Sequence, residues 1–196
     1  MTEETKRAWD VVLAVITMAG ATIAFALSLY QWRKGQEWSR AAKGRELIDI
    51  LLDSDDSDNE SYTWDAMRML DYQDETRPFR TKTIADKRYN VTRKLIKDAL
   101  TSDAANTDEF IYVRECFDEL YFRLGQLQDA IDNKLVKLKH VCCPVDYYAG
   151  VMAKDVKLHY DYMRDFHYEK AMKFLENFKD WRKARIAAEL PLIAER

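Results

Sequence analysis

Three histidines and three cysteines are the side chains of this 196-residue chain best suited to metal or nucleophilic chemistry. Their spacing does not assemble a site. His140, Cys142 and Cys143 cluster, and Cys116 lies apart. A zinc centre normally draws on two spaced pairs, such as C-x2-C and H-x3-H, and adjacent cysteines are awkward joint ligands for a tetrahedral ion. Small buried or half-buried thiols in a reducing compartment are expected instead, without a structural disulfide. His167 falls on an apolar stripe, where a core or interface histidine is expected. His159 shares no helical face with it that would allow joint ligation. There is no nucleophile elbow or glycine-rich phosphate loop, and five glycines are too few for the usual nucleotide-cradling turn. No cofactor is expected.

Charge carries more information. From Asp53 to Glu75 there are nine acidic residues and one arginine. From Arg77 to Lys97 there are eight cations against Asp86 alone. Placed on a helix over 83–100, Asn90, Arg93 and Lys97 share a face, with Lys94 beside them, opposite a stripe of Ile84, Val91, Leu95 and Ala99. Arg88, Arg93, Lys94 and Lys97 are therefore candidate anion-binding residues, for a nucleotide or a lipid headgroup. The competing use is pairing with the acidic segment as solvated ion pairs, each worth little. The run DSDDSDNE at 53–60 fails as a calcium loop. Counted from Asp53, position six is Asp58 and position twelve is Trp64, where Gly and Glu are needed. A net charge of −3 argues against a dedicated DNA binder.

A different kind of segment precedes these charges. Val11–Leu29 is nineteen consecutive uncharged, mostly apolar residues. A membrane-crossing helix needs about 20 residues at ~1.5 Å rise each. The run exceeds the apolar region of a cleavable signal, and Tyr30-Gln31-Trp32-Arg33-Lys34 makes a poor cleavage site. Trp9, Tyr30 and Trp32 bracket it where aromatic belts sit. Lys6 and Arg7 precede it, and Arg33, Lys34, Arg40, Lys43 and Arg45 follow. The positive-inside rule then puts the N-terminus outside and the rest in the cytoplasm, in the inner membrane. Gly20, Ala24 and Ser28 recur every four residues, a face that permits close helix packing and homo-oligomer formation in the bilayer.

About 165 residues follow, enough for one domain with a core of its own. Pro and Gly are rare, alternation is nearly absent and 3.6-residue periodicity dominates, so the fold class is all-α: a transmembrane helix followed by a cytoplasmic helical bundle. Expected segments are 1–31 (flank and span), 32–60 (juxtamembrane helix and acidic loop) and 61–190 (bundle). A helix over 62–72 should turn Trp64, Met67, Leu70 and also Met69 inward. The strongest stripe is Phe110, Val113, Phe117, Leu120, Leu124, Leu127, Ile131, Leu135 and Leu138, on one helix or two with a break near Asp132-Asn133. A last long helix should run from Pro144 or Val145 to about Ala187, with Leu190–Arg196 frayed.

The segments FDELYFRLGQLQDAIDNKLV (Phe117–Val136) and FLENFKDWRK (Phe174–Lys183) resemble a family of small bacterial proteins of unassigned function. The resemblance implies one N-terminal membrane helix and a cytoplasmic helical domain, and some relatives are suspected of roles in phage defence. It carries over no catalytic residue. The expectation is thus a membrane-anchored, non-enzymatic protein acting through self-assembly or partner binding. The alternative is a ligand-gated membrane effector that binds an anionic second messenger such as a cyclic oligonucleotide.

Overall fold

The structure is a computed structural model that describes residues 3–52, 62–71, 79–80, 90–101, 106–142, 145–153 and 156–194. The acidic run 53–60 and Arg77, Lys82, Ile84, Lys87, Arg88 and Cys143 lie outside the described residues. The chain is all-α: α1 Glu3–Leu52, α2 Tyr62–Asp71, α3 Arg93–Ala99, α4 Asp108–Asp132, α5 Leu138–Val141, α6 Val145–Met152, α7 Val156–Asp165 and α8 Glu169–Ala194. A two-residue antiparallel ladder, β1 (Phe79–Arg80) with β2 (Asn90–Val91), pairs Phe79 with Val91 and Arg80 with Asn90.

Two compact units are present, Met1–Ala42 and Lys43–Arg196. In the first, described side chains from Val12 to Tyr30 are exposed all round the helix. Among the described residues one helix is long and apolar enough to cross a membrane, and this is the part that makes it so. Gly20, Ala24 and Ser28 lie on its exposed surface, with no atom within 4 Å of a Cβ placed at Gly20.

The second unit is built around α4. It packs against α2, α3 and α8, and α8 also meets α6 and α7. The expected α4 stripe is its core face: Val113, Phe117, Leu120, Leu124 and Leu127 are buried. The last turns of α1 add Ile48 and Leu51 to the same core. Gly44 is also buried there, because a Cβ at that position would meet His140 Cβ at 2.8 Å and the His140 carbonyl oxygen at 2.9 Å.

Several expectations need correction. Residues 90–92 are not helical: Asn90 and Val91 pair as strand, and the Thr92 hydroxyl accepts from the Leu95 N–H at 3.2 Å, starting α3 only at Arg93. An N-cap oxygen satisfies an orphan helix donor, which fixes the start. Trp64 is 42% exposed, whereas Thr63, Asp65 and Ala66 join the expected Met67, Met69 and Leu70 inside. The continuous helix expected over 144–187 is three helices. Finally, α8 stays helical to Ala194, past the expected end at Ala187.

Two of the breaks share one geometry. After α4, Lys134 has φ 59, Leu135 N–H donates to Ala130 O at 2.9 Å and Lys134 N–H to Ile131 O at 2.9 Å. After α7, His167 has φ 62, Tyr168 N–H donates to Met163 O at 2.7 Å and His167 N–H to Arg164 O at 3.3 Å. Both are Schellman caps, in which a left-handed residue lets two N–H groups turn back to orphan carbonyls. Glycine usually holds that position, so neither stop carries that signal; the first falls at the break expected near Asp132-Asn133, and the second was not expected. The turn also removes His167 from the expected inward stripe. It is exposed, with Nδ1 3.5 Å from the Glu169 carboxylate. Leu135, just past the first cap, is 53% exposed rather than inward.

Candidate functional site

Polar side chains enter the core along α4, each against a partner helix. The Tyr112 hydroxyl donates to the buried Asp65 carboxylate of α2. The Tyr121 hydroxyl lies 2.7 Å from His159 Nδ1 of α7. The Tyr162 hydroxyl donates to Asp118 at 2.9 Å, and Tyr168 also hydrogen-bonds that carboxylate. Asn177 of α8 donates to Gln128 Oε1 at 3.1 Å, and Gln128 Nε2 donates to Asp132 at 2.8 Å. Lys170 and Lys173 close on Asp129 and Asp132.

Burial dominates the electrostatics of this set. It pushes the Tyr112, Tyr121, Tyr162 and Tyr168 phenols above their usual range, helped at Tyr112 by Cys116 and Asp65 and at Tyr162 and Tyr168 by Asp118. Burial also raises the Asp118 carboxyl, against the hydrogen bonds from Tyr162 and Tyr168 that lower it. The Lys173 hydrogen bond, then that from Gln128, holds exposed Asp132 below its usual value. A histidine beside a tyrosine resembles acid–base machinery, but Tyr121 is 0% and His159 3% exposed. No substrate reaches either ring without the core opening. These contacts clamp helices in register.

A cavity of about 540 Å³ opens between α6, α7 and α8. Ligand pockets span about 300–1,000 Å³. Its floor is apolar: Met152, Leu175 and Phe178 are buried, with Ala149, Ala153 and Val156 around them. Its walls carry five cations, Lys157, Arg164, Lys179, Arg182 and Lys183, against Asp161 and Glu176. Arg164 pairs with Asp161, and Arg182 Nε sits 3.5 Å from Asp146 with its guanidinium over Gly150. Lys157, Lys179 and Lys183 have no ion-pair partner among the described residues. Tyr160 supplies the cavity's one phenol, raised by burial and by Glu176. Helical spacing explains the set. Lys157, Tyr160 and Arg164 share a face of α7; Leu175, Phe178 and Arg182 share a face of α8, with Lys179 and Lys183 flanking it.

The cations singled out from sequence lie elsewhere. Arg93 is half-buried and Lys94 and Lys97 are exposed on α3, and Arg93 and Lys97 are each already engaged in interactions within the chain. Asn90, on the ladder, is not on their helical face. None of them lines the α6–α7–α8 cavity. The cavity was hidden in the sequence because it exists only where 145–183 folds into three helices. The sequence holds only a partial trace of it: Lys157 and Arg164 lie two helical turns apart, and Lys179, Arg182 and Lys183 recur at three- and four-residue spacing, which sets each group on one side of its own helix but not the space between them. Among the described residues no three His, Cys, Asp or Glu side chains gather to hold a metal, and neither Cys116 nor Cys142 forms a disulfide.

Comparison with protein-family models, curated proteins and solved structures finds no match to this chain.

Proposed function

We propose that this chain is a non-enzymatic protein held in the inner membrane by the apolar part of α1, with residues 31–196 in the cytoplasm. In this reading it acts through self-assembly or partner binding, in stress response or, as its resemblance implies, in phage defence. The observation that carries it is α1 itself. Its first half is apolar and exposed round the whole circumference, which is costly in water and favourable in lipid, while its last turns supply Ile48 and Leu51 to the folded unit. The Lys/Arg excess after the span supports the orientation. The Gly20-Ala24-Ser28 face supports association within the bilayer.

The experiment is extraction and reporter fusion on the full chain. The protein should stay in the membrane pellet at alkaline pH, and a variant lacking residues 1–31 should leave it. A phosphatase active only outside the cytoplasm, fused after Arg196, should be silent. An active reporter would reverse the orientation, and full alkaline extraction would end the anchored reading. Gly20→Ile should weaken a membrane two-hybrid signal while insertion is retained; an unchanged signal would remove the role given to that face.

The cavity favours a second reading, in which the same anchored protein responds to an anionic ligand. Five cations face two carboxylates on its walls, and three of the lysines lack an internal ion-pair partner among the described residues. Growth arrest on overexpression that depends on Lys179 and Lys183 would favour this effector over a passive scaffold. Arrest indifferent to both would leave the scaffold.

A further inference from the structure

We infer that the cavity between α6, α7 and α8 takes a single-chain anionic amphiphile: one acyl chain ending in a phosphate or carboxylate. The inference rests on the ligand-responsive reading above and specifies its ligand. Two properties of the cavity demand different parts of one molecule.

The floor asks for hydrocarbon. Met152, Leu175 and Phe178 close it, and no amide or aliphatic hydroxyl side chain lines it among the described residues. A nucleobase seated there would lose water from its polar edges without gaining partners, which is unfavourable. An acyl chain has no such edges. The walls ask for an anion. Arg164 pairs with Asp161 and Arg182 with Asp146, so among the described residues the wall charge without an ion-pair partner is that of Lys157 on α7 and Lys179 and Lys183 on α8, with Glu176 the remaining lining carboxylate. Lysine ammonium groups on long stems can converge on a head group whose position the chain sets. The half-open cavity suits a ligand whose head stays at the aqueous rim.

The test is photo-crosslinking to the full chain in phosphatidylcholine nanodiscs, with empty nanodiscs as control. The probe is lysophosphatidate carrying a diazirine on its acyl chain; a diazirine palmitate and a diazirine monoacylglycerol are parallel arms. Adducts are mapped by peptide mass spectrometry. Lysophosphatidate should label peptides within 145–185, and unlabelled lysophosphatidate should compete. Competition should weaken by up to about fourfold for each methylene removed from the competitor. The monoacylglycerol should label at least tenfold less. If palmitate labels as well as lysophosphatidate, the head-group requirement is charge alone. Lys179→Glu/Lys183→Glu should lower labelling at least tenfold, and so should Val156→Trp, which fills the mouth from an exposed position. Circular dichroism shows whether each variant folds; the lysine pair is exposed and serves if the tryptophan does not.

Labelling unaffected by a folded Lys179→Glu/Lys183→Glu variant overturns the proposal, as does equal labelling by monoacylglycerol or labelling confined to α1. Competition by inorganic phosphate or a cyclic dinucleotide without chain-length dependence overturns the amphiphile and leaves the anionic-ligand reading standing. No competable adduct within 145–185, with neither phosphate nor cyclic dinucleotide bound in calorimetry, ends both.

Discussion

The Tyr121 hydroxyl and His159 Nδ1 meet at 2.7 Å across 38 residues of sequence, joining the middle of α4 to α7 inside the core. The two rings also cross edge-on at 6.3 Å, and Phe117 lies 5.7 Å from the imidazole. The bond is shielded from water, so its loss is not compensated by solvent. Tyr121→Phe should therefore cost about 1–3 kcal/mol. Phe122→Ala, next in sequence but 53% exposed, should cost clearly less. Urea unfolding of the full chain in detergent compares them; equal losses would mean the pair contributes nothing beyond packing.

The faces of α4 and α2 predict two contrasts. Leu120→Ala and Leu124→Ala, each 1% exposed, should cost about 2–5 kcal/mol. Glu119→Ala loses only a partly exposed pair with Arg123 at 2.6 Å, worth about 0–1 kcal/mol. On α2, Met67→Ala should be costly and Trp64→Ala mild, the reverse of what residue size alone would give.

Two glycines of α1 should respond oppositely to alanine. Gly35 has open space around it, so Gly35→Ala should gain up to about 1 kcal/mol of helix propensity. Gly44→Ala gains the same propensity but drives its Cβ into His140 backbone and Cβ atoms, and overpacking of that kind costs about 1–3 kcal/mol. Melting temperatures of the two variants should move in opposite directions.

Lys134 and His167 hold left-handed conformations that cost an L-residue about 1–2 kcal/mol. Glycine adopts them freely but has more entropy to lose on folding. Lys134→Gly and His167→Gly should each stabilise the fold by about 0.5–1 kcal/mol. A loss of stability at either position would show that its side chain contributes more than its backbone strain removes.

Stability should fall at both ends of the pH scale through different groups. The Tyr112, Tyr121, Tyr162 and Tyr168 phenols are raised in the folded state. Their contribution is complete below the ordinary tyrosine value of about 10 and is lost as pH rises above it. Tyr162→Phe should make the alkaline limb shallower. Asp132 is lowered by Lys173 and Gln128, so its contribution is present above about pH 4 and is lost as pH falls below. Asp132→Asn should flatten the acid limb and, because Asp132 also helps to raise the Lys170 ammonium, change the alkaline limb less than Tyr162→Phe does. Denaturant midpoints between pH 3 and 11 report both.

Some of this molecule is written in local residue patterns. The apolar run Val11–Leu29, the all-α class and the inward face of α4 follow from composition and periodicity, because each depends only on how neighbours along one helix share a face. The break after Asp132 was also legible, in Asp132-Asn133. Other features depend on what a helix meets. The stop at His167 uses a left-handed residue that is not glycine, so it carries no local signature and is held by the packing on either side. Asp65 goes inside and Trp64 outside because Tyr112 offers the carboxylate a buried hydroxyl, a partner 47 residues away. Gly44 is needed because His140 lies against it. The α6–α7–α8 cavity arises the same way: Lys157 and Lys183 become wall residues of one space only once two breaks fold their segment back on itself, which no periodicity within a single helix encodes.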